Sequence, residues 1–94
     1  MPLPKEYKLQ ELIAKKIREY ADEYGLSYSE LSQITGIPKS TLTSFMSGAH
    51  KGLRIETVAK LANGFDMTLK EFFDDDRFDM IDMEDLLDLR RNIN

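Results

Sequence analysis

The stretch that most restricts this chain is Ser27–Gly48, SYSELSQITGIPKSTLTSFMSG. It holds two short apolar-periodic runs parted by Gly36, and the second opens on Pro38. Ser27-Tyr28-Ser29-Glu30 has the form of a capping box, in which the serine oxygen accepts from the Glu30 amide and the Glu30 side chain returns to the Ser27 amide. A short helix is expected from there to Thr35, with Leu31 and Ile34 facing inward. Gly36 stands where a left-handed residue stops a helix, and Ile37 reads as a buried turn residue. Pro38 suits a helix N-terminus, where its missing amide hydrogen is no loss. Leu42 and Phe45, three apart, form the buried stripe of the next helix, which ends near Gly48. Apart from Lys39, the polar side chains on that helix are all hydroxyls.

The flanking sequence is also helical in pattern. Leu9, Leu12, Ile13, Ile17, Tyr20, Ala21 and Tyr24 recur at helical spacing, which predicts a first helix over about residues 6–24, ended by Gly25. Lys8, Lys15, Lys16 and Arg18 are expected on its solvated face. After AHKGLR, the residues Ile55, Val58, Ala59, Leu61 and Ala62 mark a fourth helix. Thr68-Leu69-Lys70-Glu71 is a second capping box and opens a fifth, with Leu69, Phe72 and Phe73 as its apolar side. No strand alternation and no internal repeat are present, so the expected class is all-α: five helices over residues 6–73 and an acidic tail over 74–94. In the tail, Met80, Met83, Leu86 and Leu87 share one helical stripe, Asp82 is a candidate cap, and Arg90 and Arg91 suit the C-terminal end of a helix dipole. A sixth helix is expected only if it packs on something, because isolated helices below about 12–15 residues are marginal.

Composition narrows the chemistry. The 94 residues contain no cysteine and one histidine, His50. A disulfide framework, a thiolate or multi-histidine metal site and a histidine-led triad are therefore not expected. Neither a cofactor nor an enzymatic activity is anticipated. Asp74-Asp75-Asp76 lacks the glycine turn and ligand spacing of a calcium loop and reads as a solvated acidic linker. With no membrane-length apolar run and no apolar signal segment in MPLPKEYK, a cytoplasmic location is expected. The net charge is −4. Residues 74–94 carry 8 acids and 3 bases, net −5, which leaves residues 1–73 at +1. Global charge therefore neither favours nor opposes nucleic acid, because a basic patch on one face is what counts.

Two helices joined by a turn of about three to four residues containing glycine form the helix-turn-helix unit, but also an ordinary corner in a helical bundle. The wider pattern separates the two. The order LSYSELSQITGIPKSTLTSFMSG, a polar loop, then IETVAKLANGFDMTLKEFF resembles the lambda-repressor-like, or Cro/Xre, family of helix-turn-helix DNA-binding domains over about Leu9 to Phe73. The resemblance implies that the third helix enters the major groove while the second crosses the backbone.

By that resemblance, Lys39, Ser40 and Ser44 face base edges, with Thr43 beside them. Lys39 can donate to guanine O6 and N7, and serine hydroxyls read several bases. Phosphate contacts are implied for Tyr28, Thr41, Ser47, His50, Lys51 and Arg54, with Thr41 also suited to a thymine methyl. Each has a plainer role as well. Ser40 and Thr41 favour a first helical turn, Lys39 solubilises, Tyr28 packs its ring, and His50 is a loop residue. Tyr20 and Tyr24 read as core or rim residues rather than base readers.

Two positions depart from the family pattern. Met46 stands where a glutamate is common, opposite Ala21 in place of the arginine that pairs with it. An apolar contact there replaces a buried ion pair, often with little effect on stability. Ser32 replaces a preferred alanine and is expected to bond back to the preceding turn.

The function implied is a sequence-specific transcriptional regulator, a repressor acting as a homodimer on double-stranded DNA. The alternative is a protein-interaction module, antitoxin-like or antirepressor-binding, that uses Met80, Met83, Leu86 and Leu87 of the tail for dimer or partner contacts.

Overall fold

A computed structural model describes residues 7–49 and 52–82. The chain forms α1 (Leu9–Tyr24), α2 (Tyr28–Thr35), α3 (Lys39–Met46), α4 (Ile55–Gly64) and α5 (Leu69–Phe73), followed by a 3-10 turn over Asp76–Met80. The five helices enclose one core, in which Ile13, Ile17, Leu31, Ile37, Leu42, Phe45, Val58, Leu61, Ala62, Phe65 and Phe72 are buried. The all-α class read from the sequence holds for this body.

The local signals act as their chemistry predicts. Both capping boxes are closed: Ser27 Oγ accepts from Glu30 N, and Thr68 Oγ1 accepts from Glu71 N, each at 3.1 Å. Gly25 ends α1 in the left-handed region, and Leu26 N donates back to Ala21 O at 2.8 Å, the reach expected of a glycine C-cap. Gly36 does the same for α2 at φ 76°, a conformation that costs a residue with a Cβ about 1–2 kcal/mol. The turn that follows is held by hydroxyls. Thr35 Oγ1 donates to Leu31 O at 2.6 Å and accepts from Ile37 N at 3.2 Å. Ser32 Oγ donates to Ile37 O at 2.6 Å. The serine thus bonds forward into the turn rather than back along its helix, because the turn carbonyl is the acceptor that burial would otherwise leave unmet.

Several expectations are corrected. Tyr7 and Lys8 are not helical. Tyr7 instead pairs in a parallel bridge with Ile81: its N–H donates to Met80 O at 3.2 Å and its carbonyl accepts from Asp82 N at 2.7 Å. Ile34 is 55% exposed and Ile55 53% exposed, not inward. On α2 the buried line is narrow and centred on Leu31, and on α4 it runs through Val58, Leu61 and Ala62, leaving Ile55 at the open first turn. Lys16, read as a solvated base, is 2% exposed.

Lys16 Nζ lies over the rings of Tyr20, Phe72 and Phe78, at 5.1, 5.3 and 5.7 Å from their centroids. It donates to Tyr20 Oη at 3.2 Å and to Asp75 Oδ2 at 3.1 Å. Asp75 also accepts from the Arg77 guanidinium, which makes a two-pronged contact with Glu19 of α1 at 2.7 and 3.0 Å. Hydrogen bonds from Arg77 and Lys16 hold the Asp75 carboxyl well below the usual carboxylate range, against the opposing effect of its burial. Glu19 is lowered as well, chiefly by its hydrogen bonds from Arg77. Asp75 is therefore no solvated linker residue. Phe73 and Phe78 meet edge to face at 4.9 Å, so the 3-10 turn is packed as well as charge-paired. Met80 ends that turn and leads into extended Ile81, so it does not lie on a continuous helical stripe. Met83, Leu86, Leu87, Arg90 and Arg91 lie outside the described residues.

Candidate nucleic-acid interface

The α3 sequence KSTLTSFM separates into two faces at about 100° per residue. Leu42 and Phe45 are buried against the core. Lys39, Ser40, Thr43 and Ser47 are exposed, and Ser44 is half-buried beside them. The four residues expected to face bases thus occupy one outward surface, with Ser47 continuing it. Thr41 is half-buried on the flank. The carbonyl of Pro38, which precedes the helix, accepts from Thr41 and Leu42 N–H, and no side chain caps the first turn. Lys39 is the one charge on the helix.

The hydroxyls on this face are not equivalent. Thr43 Oγ1 donates to Lys39 O at 3.0 Å and to Ser40 O at 3.2 Å, and Ser47 Oγ donates to Ser44 O at 3.0 Å. Each then offers lone pairs outward while its hydrogen is engaged by the helix. The side-chain hydroxyls of Ser40 and Ser44 make no hydrogen bond among the described residues and remain able to donate or accept.

Tyr28 is the first residue of α2, half-buried and packed on the core, so its ring takes the plainer role predicted for it. A shallow cleft beside it is lined by Arg18, Asp22, Leu26 and Ser27. Arg18 did not stand out in the sequence as a site residue, being one of several bases on α1. Arg54 is exposed at the N-cap of α4. His50 and Lys51 lie outside the described residues. Tyr20 is in the core wall, 5.4 Å from Phe65 and 6.0 Å from Phe72, and Tyr24 stacks on Phe65 at 6.1 Å while 52% exposed. Ala21 is buried and Met46 half-buried against the same core, consistent with an apolar replacement of the family's ion pair.

Two helices of eight residues joined at a left-handed glycine, the second with a hydroxyl face outward, match a known family across residues 16–77. The chain belongs to the Cro/C1-type HTH DNA-binding domain family. That family is one of DNA-binding domains rather than enzymes, and its members' fold is the one described above. A search of curated proteins returns no match. Among solved structures, the chain is similar to an HTH_3 family transcriptional regulator from Vibrio cholerae, at 28% identity and TM-score 0.61 over 68% of this chain. It spans only 35% of that regulator's length. It is also similar to SinR, a master regulator for biofilm formation, in a crystal structure with DNA: 29% identity, TM-score 0.59, 66% of this chain and 98% of that one. A chain of a SinR–SinI protein complex matches at 26% identity and TM-score 0.60, covering 87% of this chain and 79% of its own. This is therefore a helix-turn-helix DNA-binding domain related to transcriptional regulators. No described helix is long and apolar enough to cross a membrane.

Proposed function

We propose that the chain is a sequence-specific transcriptional regulator, a repressor that binds DNA as a homodimer with α3 in the major groove. The observation that carries this reading is the outward face of α3: Lys39, Ser40, Thr43 and Ser44 together, with no acidic side chain on the helix. Lys39, Ser40 and Ser44 read base edges, with Thr43 beside them, while Tyr28, Thr41, Ser47 and Arg54 hold phosphates. His50 and Lys51 take backbone roles on the family resemblance alone. The similarity to SinR, whose structure contains DNA, supports DNA binding. Homodimerisation follows from energetics: a single domain makes few base contacts, each worth about 1–3 kcal/mol of discrimination. A second half-site about one helical turn away supplies the rest.

Selection of bound duplexes from a random pool tests the reading. Enrichment of a two-fold symmetric motif is expected. Failure to enrich any sequence would remove the sequence-specific claim, and enrichment of a single asymmetric half-site would remove the homodimer.

A second reading is that the tail binds a protein partner. The match to a chain of the SinR–SinI complex supports it, because it extends over 87% of this chain and so beyond the helix-turn-helix body. On this reading Met80, Met83, Leu86 and Leu87 supply the apolar contacts. Removal of residues 83–94 with loss of partner binding, but retained DNA binding, is the result it requires.

A further inference from the structure

The match to the family begins at residue 16, whereas α1 begins at Leu9. The part of α1 before residue 16 carries Gln10, and Gln10 reaches across the fold to Leu53, just before α4. Its Oε1 accepts from Leu53 N–H at 3.2 Å. Its amide also lies flat over Gly52: a Cβ placed there would stand 2.8 Å from Gln10 Cδ and 3.0 Å from Nε2. Gly52 is not one of the glycines with positive φ, so a Cβ there would crowd the Gln10 amide without straining the backbone.

The next residue is Arg54. Its carbonyl accepts from Thr57 and Val58 N–H at 3.0 and 3.1 Å, which ties it to the first turn of α4. Leu53 packs its side chain on the core. The Leu53–Arg54 backbone is therefore held on one side by Gln10 and on the other by α4, while the Arg54 side chain projects into solvent.

We infer that Gln10 is a positioning residue for DNA binding: it fixes the backbone at Leu53, just before α4, so that Arg54 meets a phosphate in a set place. The inference rests on the proposed reading of Arg54 as a backbone contact. A fixed cation contributes more to binding than one on a wandering loop, since less freedom is lost when the contact forms. The effect is independent of base sequence, because phosphates carry none.

The test uses the full chain and a short random-sequence duplex at low salt. Gln10→Ala removes the acceptor. Gly52→Ala displaces the Gln10 amide with no strain of its own in the backbone. Each is expected to weaken binding by about three- to tenfold, the range of one net hydrogen bond, with the melting temperature lowered by no more than a few degrees. The double variant should bind no more weakly than the weaker single. Adding Gln10→Ala to Arg54→Ala should change affinity little, since the group that Gln10 positions is already gone. Leu53 amide exchange should quicken in both single variants. Three results overturn the inference: Gln10→Ala binding like the unaltered chain, fully additive losses for Gln10→Ala and Arg54→Ala, or Leu53 exchange unchanged. If the unaltered chain binds no duplex, the proposed function fails first and this inference with it.

Discussion

Lys16 shows how far a single residue can depart from its local pattern. Its neighbours along α1 suggest a solvated base, yet its ammonium is enclosed by three aromatic rings and bonded to Asp75, which lies 59 residues away. Breaking a buried pair usually destabilises by about 3–5 kcal/mol because one charge is stranded. Here the remaining Asp75 keeps Arg77, so Lys16→Met, which preserves the apolar stem, should destabilise by only about 1–2 kcal/mol in urea unfolding. The same network predicts a pH dependence. The Asp75 carboxyl has a folded pKa below its unfolded value, so its contribution is fully present at neutral pH. That contribution is lost as pH falls below the ordinary value of 3.8 toward the lower folded one. Glu19, lowered in the same direction, adds to it. Between about pH 6 and pH 2, Asp75→Asn should therefore lose less stability than the unaltered chain. Equal slopes for the two would mean that the pairing has no energetic weight.

At the scale of elements, the capping boxes and helix-stopping glycines were legible because each is complete within a few residues. Ser27 and Glu30 need only each other, and Gly36 needs only its own φ. What could not be read were contacts across elements. Gln10 meets Leu53 over a separation of 43 residues, and nothing near Gln10 in the chain signals it. The exposed positions of Ile34 and Ile55 were missed for a related reason. Helical periodicity marks an apolar stripe but not how wide a strip the neighbouring helices cover. The α2–α4 crossing gives a prediction of its own. A Cβ on Gly64 would come 2.8 Å from the Thr35 methyl. That methyl cannot swing away freely, because Thr35 Oγ1 is tied to Leu31 O and Ile37 N. Overpacking of this kind destabilises by about 1–3 kcal/mol, whereas replacing glycine in a helix gains at most about 1 kcal/mol. At the last residue of α4 the gain is smaller still, so Gly64→Ala should lower the melting temperature. A rise would mean that the crossing relaxes without resistance.

For the whole molecule, the distribution of charge bears on what the C-terminal region does. The tail's net −5 divides into −4 over residues 74–82, five acids and one base, and −1 over residues 83–94, three acids and two bases. Most of the acidity thus sits in the segment packed on α1, where Asp75 is already engaged by Lys16 and Arg77. Removing residues 83–94 changes net charge by only one unit, so it should alter DNA affinity by less than about threefold. Removing residues 74–94 also takes away the Asp75 and Phe78 contacts and should lower the melting temperature. Comparing the two truncations by sedimentation separates assembly from stability, since dimer loss in the shorter truncation assigns assembly to residues 83–94. The exposed α3 face proposed to read bases could be picked out because the family order aligns it residue by residue. Its hydroxyl face leaves the preferred bases open, since serine and threonine accept more than one partner.

The central claim is that α3 reads bases, and one measurement addresses it directly. Duplexes are selected from a random pool by the unaltered chain and by the Lys39→Ala, Ser44→Ala double variant, both at the same salt. The account predicts a defined motif for the unaltered chain. The variant should still bind DNA, but lose preference at the base pairs those side chains face. Recovery of the same motif, equally sharp, from the variant would contradict it.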